Sequence, residues 1–134
     1  MKVVILAGGT GTSLGEYTDN IPKPMVSIGE KPIIWHIMKH YGKYSHKDFI
    51  IALGYKSEVI KKYFINYQFL NSDFSINLKN QKITTYDEDT VDWNVSLINT
   101  GKKSMTGGRL KRLKKYIGNE TFLLTYGEIG RAHV

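Results

Sequence analysis

The chain has 134 residues, 19 basic and 12 acidic side chains, no cysteine, 41% hydrophobic and 23% charged residues. That is one core's worth of chain with a globular composition, which excludes wholesale disorder, a disulfide scaffold, a thiolate zinc site and a cysteine nucleophile. The net charge of +7 equals the basic content of segment 102–115 (Lys102, Lys103, Arg109, Lys111, Arg112, Lys114, Lys115), which suits an anionic ligand or a solvated helix face better than a broad nucleic-acid surface.

Residues 2–7 form a continuous apolar run that stops at Gly8-Gly9, the pattern of a strand buried on both faces of a parallel sheet. This run is too short for a signal-peptide core, and no apolar stretch reaches the ~18 residues of a membrane span, so the expected location is the cytoplasm. Pro22 and Pro24 predict an extended segment. Residues 32–43 predict a helix opened by Pro32, with Ile33, Ile34, Ile37, Met38 and Tyr41 on one face and Lys39, His40 and Lys43 on another. Asp48 to Leu53 reads as a second buried strand closed by Gly54. A helix follows from Ser57, with Val59, Ile60, Tyr63, Phe64 and Tyr67 inward.

From Phe74 the period becomes two. Residues 74–78 and 82–86 predict a hairpin turning at Asn80-Gln81, and 95–98 a further strand. Gly107-Gly108 opens a third helix with Leu110, Leu113 and Ile117 as its inner stripe, ended by Gly118-Asn119; residues 122–125 make a last strand. Strands alternating with helices indicate an α/β domain, Rossmann-like, with a mostly parallel sheet and helices on both faces.

Leu6-Ala7-Gly8-Gly9-Thr10-Gly11-Thr12 is the main chemical signal. Glycines at the carboxyl end of a first strand let backbone N–H groups approach a phosphate. The run is neither a P-loop nor G-x-G-x-x-G, because Leu14 replaces the third glycine. Lys23 stands between two prolines, which limit its reach; such a lysine has less ordering to do when it meets a phosphate.

The runs LAGGTGTSL…IPKPMVSIGEKPI resemble the signature of sugar-1-phosphate nucleotidylyltransferases. KPIIWHIMKHY, DFIIALGYKSEVIKKYF, DWNVSLINTG and MTGGRLKR resemble, more narrowly, its glucose-1-phosphate cytidylyltransferase branch. The resemblance implies a GT-A-like nucleotidyltransferase fold, truncated here, since family members are about twice this length. It implies that glucose 1-phosphate attacks the α-phosphorus of CTP, giving CDP-glucose and pyrophosphate, with Mg2+ and cationic side chains stabilising the transferring phosphoryl group. Leu6 to Gly9 would hold the nucleotide through the backbone. Thr10 would also bind the nucleotide, Gly11 and Thr12 would cradle the triphosphate, and Lys23 would face the α-phosphate. Ser104, Thr106, Gly107, Gly108 and Arg109 would lie beside base and ribose, Arg109 being the candidate for cytidine preference. Full-length members are expected to be homo-oligomers that bind neither membrane nor nucleic acid, and the product would feed surface-polysaccharide synthesis.

Two positions depart from the family pattern. Ser13 occupies the place of an arginine that would contact the leaving end of the triphosphate, and serine offers one hydroxyl in place of a cationic fork. Glu128 occupies the place of an aspartate that would ligate magnesium, and carboxylate oxygen is still the right ligand type. The run from Ile129 to Val134 also matches a conceptual translation of sequencing-adapter bases, which would complete a cut aspartate codon as Glu128, so residues 1–127 are expected to be the N-terminal part of the domain and 128–134 a non-native tail. Marginal stability is expected of such a piece.

Other readings stay open. A relative could use UTP or another sugar phosphate, and Ser13 would suit a nucleotide-binding module without catalysis. A single-strand nucleic-acid binder would need aromatic platforms among its basic groups, and segment 102–115 is followed only by Tyr116. His36 and His40 have metal-pair spacing but no third ligand, and structural roles are expected of them. Asp87-Glu88-Asp89 with Asp92 is expected to be a solvated loop, and Trp35 a core residue.

Overall fold

The computed structural model describes residues 1–8, 21–86, 91–101 and 106–127, without the side chains of 106 and 109. Four parallel strands make the central sheet: β1 (Lys2–Ala7), β4 (Asp48–Leu53), β7 (Asn94–Asn99) and β8 (Phe122–Tyr126), in the order β7-β4-β1-β8. β1 is paired on both sides, with Ile5 opposite Ile51 in β4 and Thr125 in β8. The unbroken apolar character of residues 3–7 follows from that central place, since neither face of the strand meets water.

Alternate residues of β1 and β4 serve two cores. Val3, Ile5, Phe49, Ile51 and Leu53 pack under helices α1 (Ile33–Gly42) and α2 (Ser57–Ile65), which contribute Ile34, Met38 and Ile60. Val4, Leu6, Ile50 and Ala52 pack under α4 (Thr106–Ile117), which contributes Leu113 and Ile117, with Leu110 at its margin. Each fully buried branched or aromatic side chain contributes about 1.5–3 kcal/mol on transfer from water. The expected Rossmann-like sheet with helices on both faces is thus observed.

Smaller elements complete the chain. β2 (Ser27–Ile28) and β3 (Lys31–Pro32) pair across Gly29, and β5 (Asp73–Asn77) and β6 (Lys82–Tyr86) form the expected hairpin. Its two strands are almost wholly exposed.

Three expectations are corrected. Residues 23–25 are a 3-10 turn, not an extended segment: Met25 N–H donates to the Pro22 carbonyl at 2.9 Å and Val26 N–H to that of Lys23 at 3.1 Å. The fixed φ of proline suits this tight turn as well as it suits extended chain. Tyr67 does not continue α2; the helix closes at Asn66, and Tyr67 begins α3 (Tyr67–Leu70). Trp35 is half-buried outside both cores, because Ile34 and Met38 already fill the inner stripe of α1. Its indole N–H donates to the Tyr67 hydroxyl at 2.8 Å.

Candidate functional site at the carboxyl edge of the sheet

The strand order reverses at β1: β4 and then β7 lie to one side, while α4 carries the chain across to β8 on the other. Parallel α/β sheets open a ligand crevice at such a reversal, beyond the carboxyl ends of the strands. Here those ends belong to β1 and β8, and they lead into Gly8 and Gly127.

The crevice floor is built from close backbone contacts. Gly127 N–H donates to the Leu6 carbonyl at 2.9 Å. A Cβ on Gly127 would lie 3.0 Å from Pro24 Cγ and 3.2 Å from Ala7 Cβ, so Pro24 rests directly on this junction. Pro22 and Pro24 are both buried, and Met25 packs into the core beneath α1 and α2. Lys23, half-buried between the two prolines, is therefore presented beside the carboxyl end of β1 by a turn anchored on either side.

A second junction lies one strand away. A Cβ on Gly54 would come within 2.7 Å of the Gly8 carbonyl oxygen and 2.8 Å of that of Gly101. Thr100 sets this spacing: its N–H and hydroxyl both donate to the Leu53 carbonyl, at 2.8 and 3.0 Å, and its side chain is almost fully buried. Gly101 then takes a positive φ of 96°, which suits glycine. The loops after β1, β4 and β7 thus converge on Gly8, Gly54 and Gly101.

Among the expected site residues, Leu6, Ala7, Gly8 and Lys23 are gathered at this edge, and Gly107 and Gly108 lie exposed in the first turn of α4. Gly9, Thr10, Gly11, Thr12, Ser13, Ser104 and Glu128 lie outside the described residues, as do Asp87, Glu88, Asp89 and the side chains of Thr106 and Arg109. Gly54, Thr100 and Gly101 were not anticipated as site residues. The available signal was Gly54 directly after an apolar run, the same punctuation that marks Gly8.

His36 and Asp92 have structural roles. His36 Nε2 lies 2.9 Å from the Ile28 carbonyl and so ties α1 to β2. Asp92 pairs with Lys47 at 2.7 Å, and that hydrogen bond holds its carboxyl below the usual carboxylate range. No described helix is long and apolar enough to cross a membrane.

The profile of the nucleotidyl transferase family matches residues 2–99. The chain is 53% identical over 129 residues to a glucose-1-phosphate cytidylyltransferase of Salmonella typhimurium, covering 96% of this chain and 50% of that protein. It is 32% identical over 124 residues to a D-glycero-alpha-D-manno-heptose 1-phosphate guanylyltransferase of Campylobacter jejuni, covering 92% and 46%. Among solved structures, it matches HddC of Yersinia pseudotuberculosis in complex with GMP-PN, with a TM-score of 0.69 and 31% identity, covering 94% of this chain and 47% of that one. The chain spans about half the length of the curated relatives it matches.

Proposed function

The chain belongs to the nucleotidyl transferase family, and on that premise we propose that it is the nucleotide-binding part of a glucose-1-phosphate cytidylyltransferase, joining CTP and glucose 1-phosphate into CDP-glucose with release of pyrophosphate. The supporting observation is the meeting of Ala7, Pro24 and Gly127 at the reversal of strand order, with Lys23 held there between two buried prolines. The identity to the Salmonella enzyme favours cytidine over guanosine, the nucleotide class of the more distant relative.

In this reading the backbone from Leu6 to Gly9 holds the nucleotide, and the loop through Thr10, Gly11 and Thr12 takes the triphosphate. Lys23 neutralises charge on the α-phosphate while the sugar-phosphate oxygen attacks and pyrophosphate departs. No covalent enzyme intermediate is needed. Ser104 to Arg109 flank base and ribose, and Gly107 in the first turn of α4 leaves room for them, with open space where a Cβ would stand. Mg2+ binds with few protein ligands and several phosphate oxygens, a demand that one carboxylate such as Glu128, next to the anchored Gly127, fits in kind. When bound, the ion neutralises phosphate charge. A cytoplasmic homo-oligomer supplying activated sugar for polysaccharide synthesis belongs to the same reading.

The test is titration of the chain with Mg-CTP, Mg-UTP and Mg-GTP, followed by pyrophosphate release with glucose 1-phosphate after fusion to the second half of the Salmonella relative. Tightest binding of CTP and pyrophosphate release from the fusion are expected. Equal binding of all three nucleotides would sink the cytidine assignment. Binding of CTP with no release from the fusion would favour the non-catalytic module that Ser13 suggests.

A further inference from the structure

The β4–α2 connection holds a lysine, Lys56, in an unusual backbone conformation. Lys56 has a left-handed backbone, φ 52° and ψ 43°, a conformation that favours glycine or asparagine. It occupies the position before α2 where a serine or aspartate side chain would cap the helix, and it makes no such hydrogen bond. No described carboxylate forms an ion pair with it. Its ammonium is held instead over the Tyr55 ring, 5.7 Å from the centroid.

The position gives this cation a use. Lys56 follows Gly54 by two residues, and Gly54 is the point where the backbones of Gly8 and Gly101 close together. Tyr55 N–H faces the Gly8 carbonyl at 3.5 Å. β4 lies between β1 and β7 in the sheet, so its carboxyl end is flanked by Gly8 and Gly101, the residues that lead into the two segments read above as nucleotide-binding. Backbone strain in a non-glycine residue persists where the surrounding structure imposes it, and such residues cluster at ligand clamps. A cation that is half-buried, stacked on an aromatic ring and paired with no described carboxylate has lost part of its freedom before any ligand arrives.

We propose that Lys56 is a second phosphoryl-binding cation of this edge, complementing Lys23 from the β4 side. The inference rests on the nucleotide-binding reading of the site. The phosphoryl group could belong to the nucleotide or to the sugar phosphate, and the experiment separates these sources.

The chain and its Lys56→Gly and Lys56→Arg variants are titrated with magnesium tripolyphosphate, Mg-CTP and glucose 1-phosphate at two salt concentrations, with melting curves alongside. Lys56→Gly relieves the left-handed strain, so its melting temperature should hold or rise. Its affinity for a phosphate-bearing ligand should nevertheless fall at least about tenfold, the lower end of what a charged hydrogen bond supplies, and the salt dependence should flatten. Lys56→Arg should keep most of the affinity. A loss confined to glucose 1-phosphate places the contact on the sugar phosphate; a loss with tripolyphosphate and CTP places it on the nucleotide. Unchanged affinity of Lys56→Gly for all three ligands overturns the proposal, as does equal weakening in Lys56→Arg or a parent chain that binds none of them. Tripolyphosphate carries no base, so a failure of cytidine preference leaves this test intact.

Discussion

Pro24 lies on Gly127: a methyl group there would sit 3.0 Å from Pro24 Cγ and 3.2 Å from Ala7 Cβ. The contact joins the turn that carries Lys23 to the end of β8. Gly127→Ala should therefore push the turn outward, at a stability cost of about 1–3 kcal/mol. Affinity for Mg-CTP should fall about tenfold because Lys23 moves with Pro24. A urea midpoint and a titration of the same sample check both effects; full affinity in the variant would detach Lys23 from the nucleotide.

Gly54→Ala should be the harsher change. Its Cβ would meet two backbone carbonyl oxygens, at 2.7 and 2.8 Å, and neither can swing aside as a side chain can. The loops after β1 and β7 would have to separate, breaking the bonds from Thr100 to the Leu53 carbonyl. A loss of about 3 kcal/mol or more is expected. Thr100→Val, which removes only the hydroxyl bond, should cost about 1 kcal/mol. Equal midpoints for the two variants would show that the junction tolerates a side chain.

Ser13→Arg should raise pyrophosphate release in the fusion with the relative's second half. A charge-assisted contact to the leaving group contributes about 2–4 kcal/mol to the transition state, roughly thirtyfold to a thousandfold in rate. Steady-state pyrophosphate assays of the pair decide it; an unchanged rate means that another group takes the arginine's part.

Tyr63 should report on alkaline stability. Its hydroxyl is buried, and among the described residues it has no partner at hydrogen-bonding geometry. Burial, aided by Tyr67, raises its pKa from 10.0 to about 12, with Asn71 pulling weakly the other way. The folded state thus holds this proton after the unfolded chain has lost it. Its contribution is fully present below pH 10 and declines as the pH rises towards about 12. Tyr63→Phe should flatten that part of the profile and leave stability at neutral pH within about 1 kcal/mol of the parent. Parallel pH–stability curves for the two proteins would contradict the shift.

What the sequence made legible is what burial dictates. The four sheet strands, the helices α1, α2 and α4 and the exposed hairpin were readable because each carries a period set by its own neighbours. The turn at Lys23 was not, because proline's dihedral suits extended and turned chain alike, and the bond from Met25 to Pro22 decides between them. The place of Trp35 was not legible either: its apolar neighbours suggest the core, but Ile34 and Met38 fill the inner face of α1. Ala7, Gly8 and Lys23 could be read as a site from glycine placement and proline restraint. The junction of Gly54 and Gly101 could not, since it depends on the register that sets Leu53 beside Asn99.

β1 imposes an order on biogenesis. It is made before both of its partners, residues 48–53 on one side and residues 122–126 on the other. During synthesis at ~5–20 residues per second, one flank of β1 can close many seconds before β8 leaves the ribosome. Val4 and Leu6 must wait just as long for Leu113 and Ile117 to cover them. The nascent chain thus presents a half-dressed strand during elongation, the kind of intermediate that holdase chaperones recognise. Pauses in translation between residues 53 and 122 should therefore weigh more heavily on yield than pauses elsewhere.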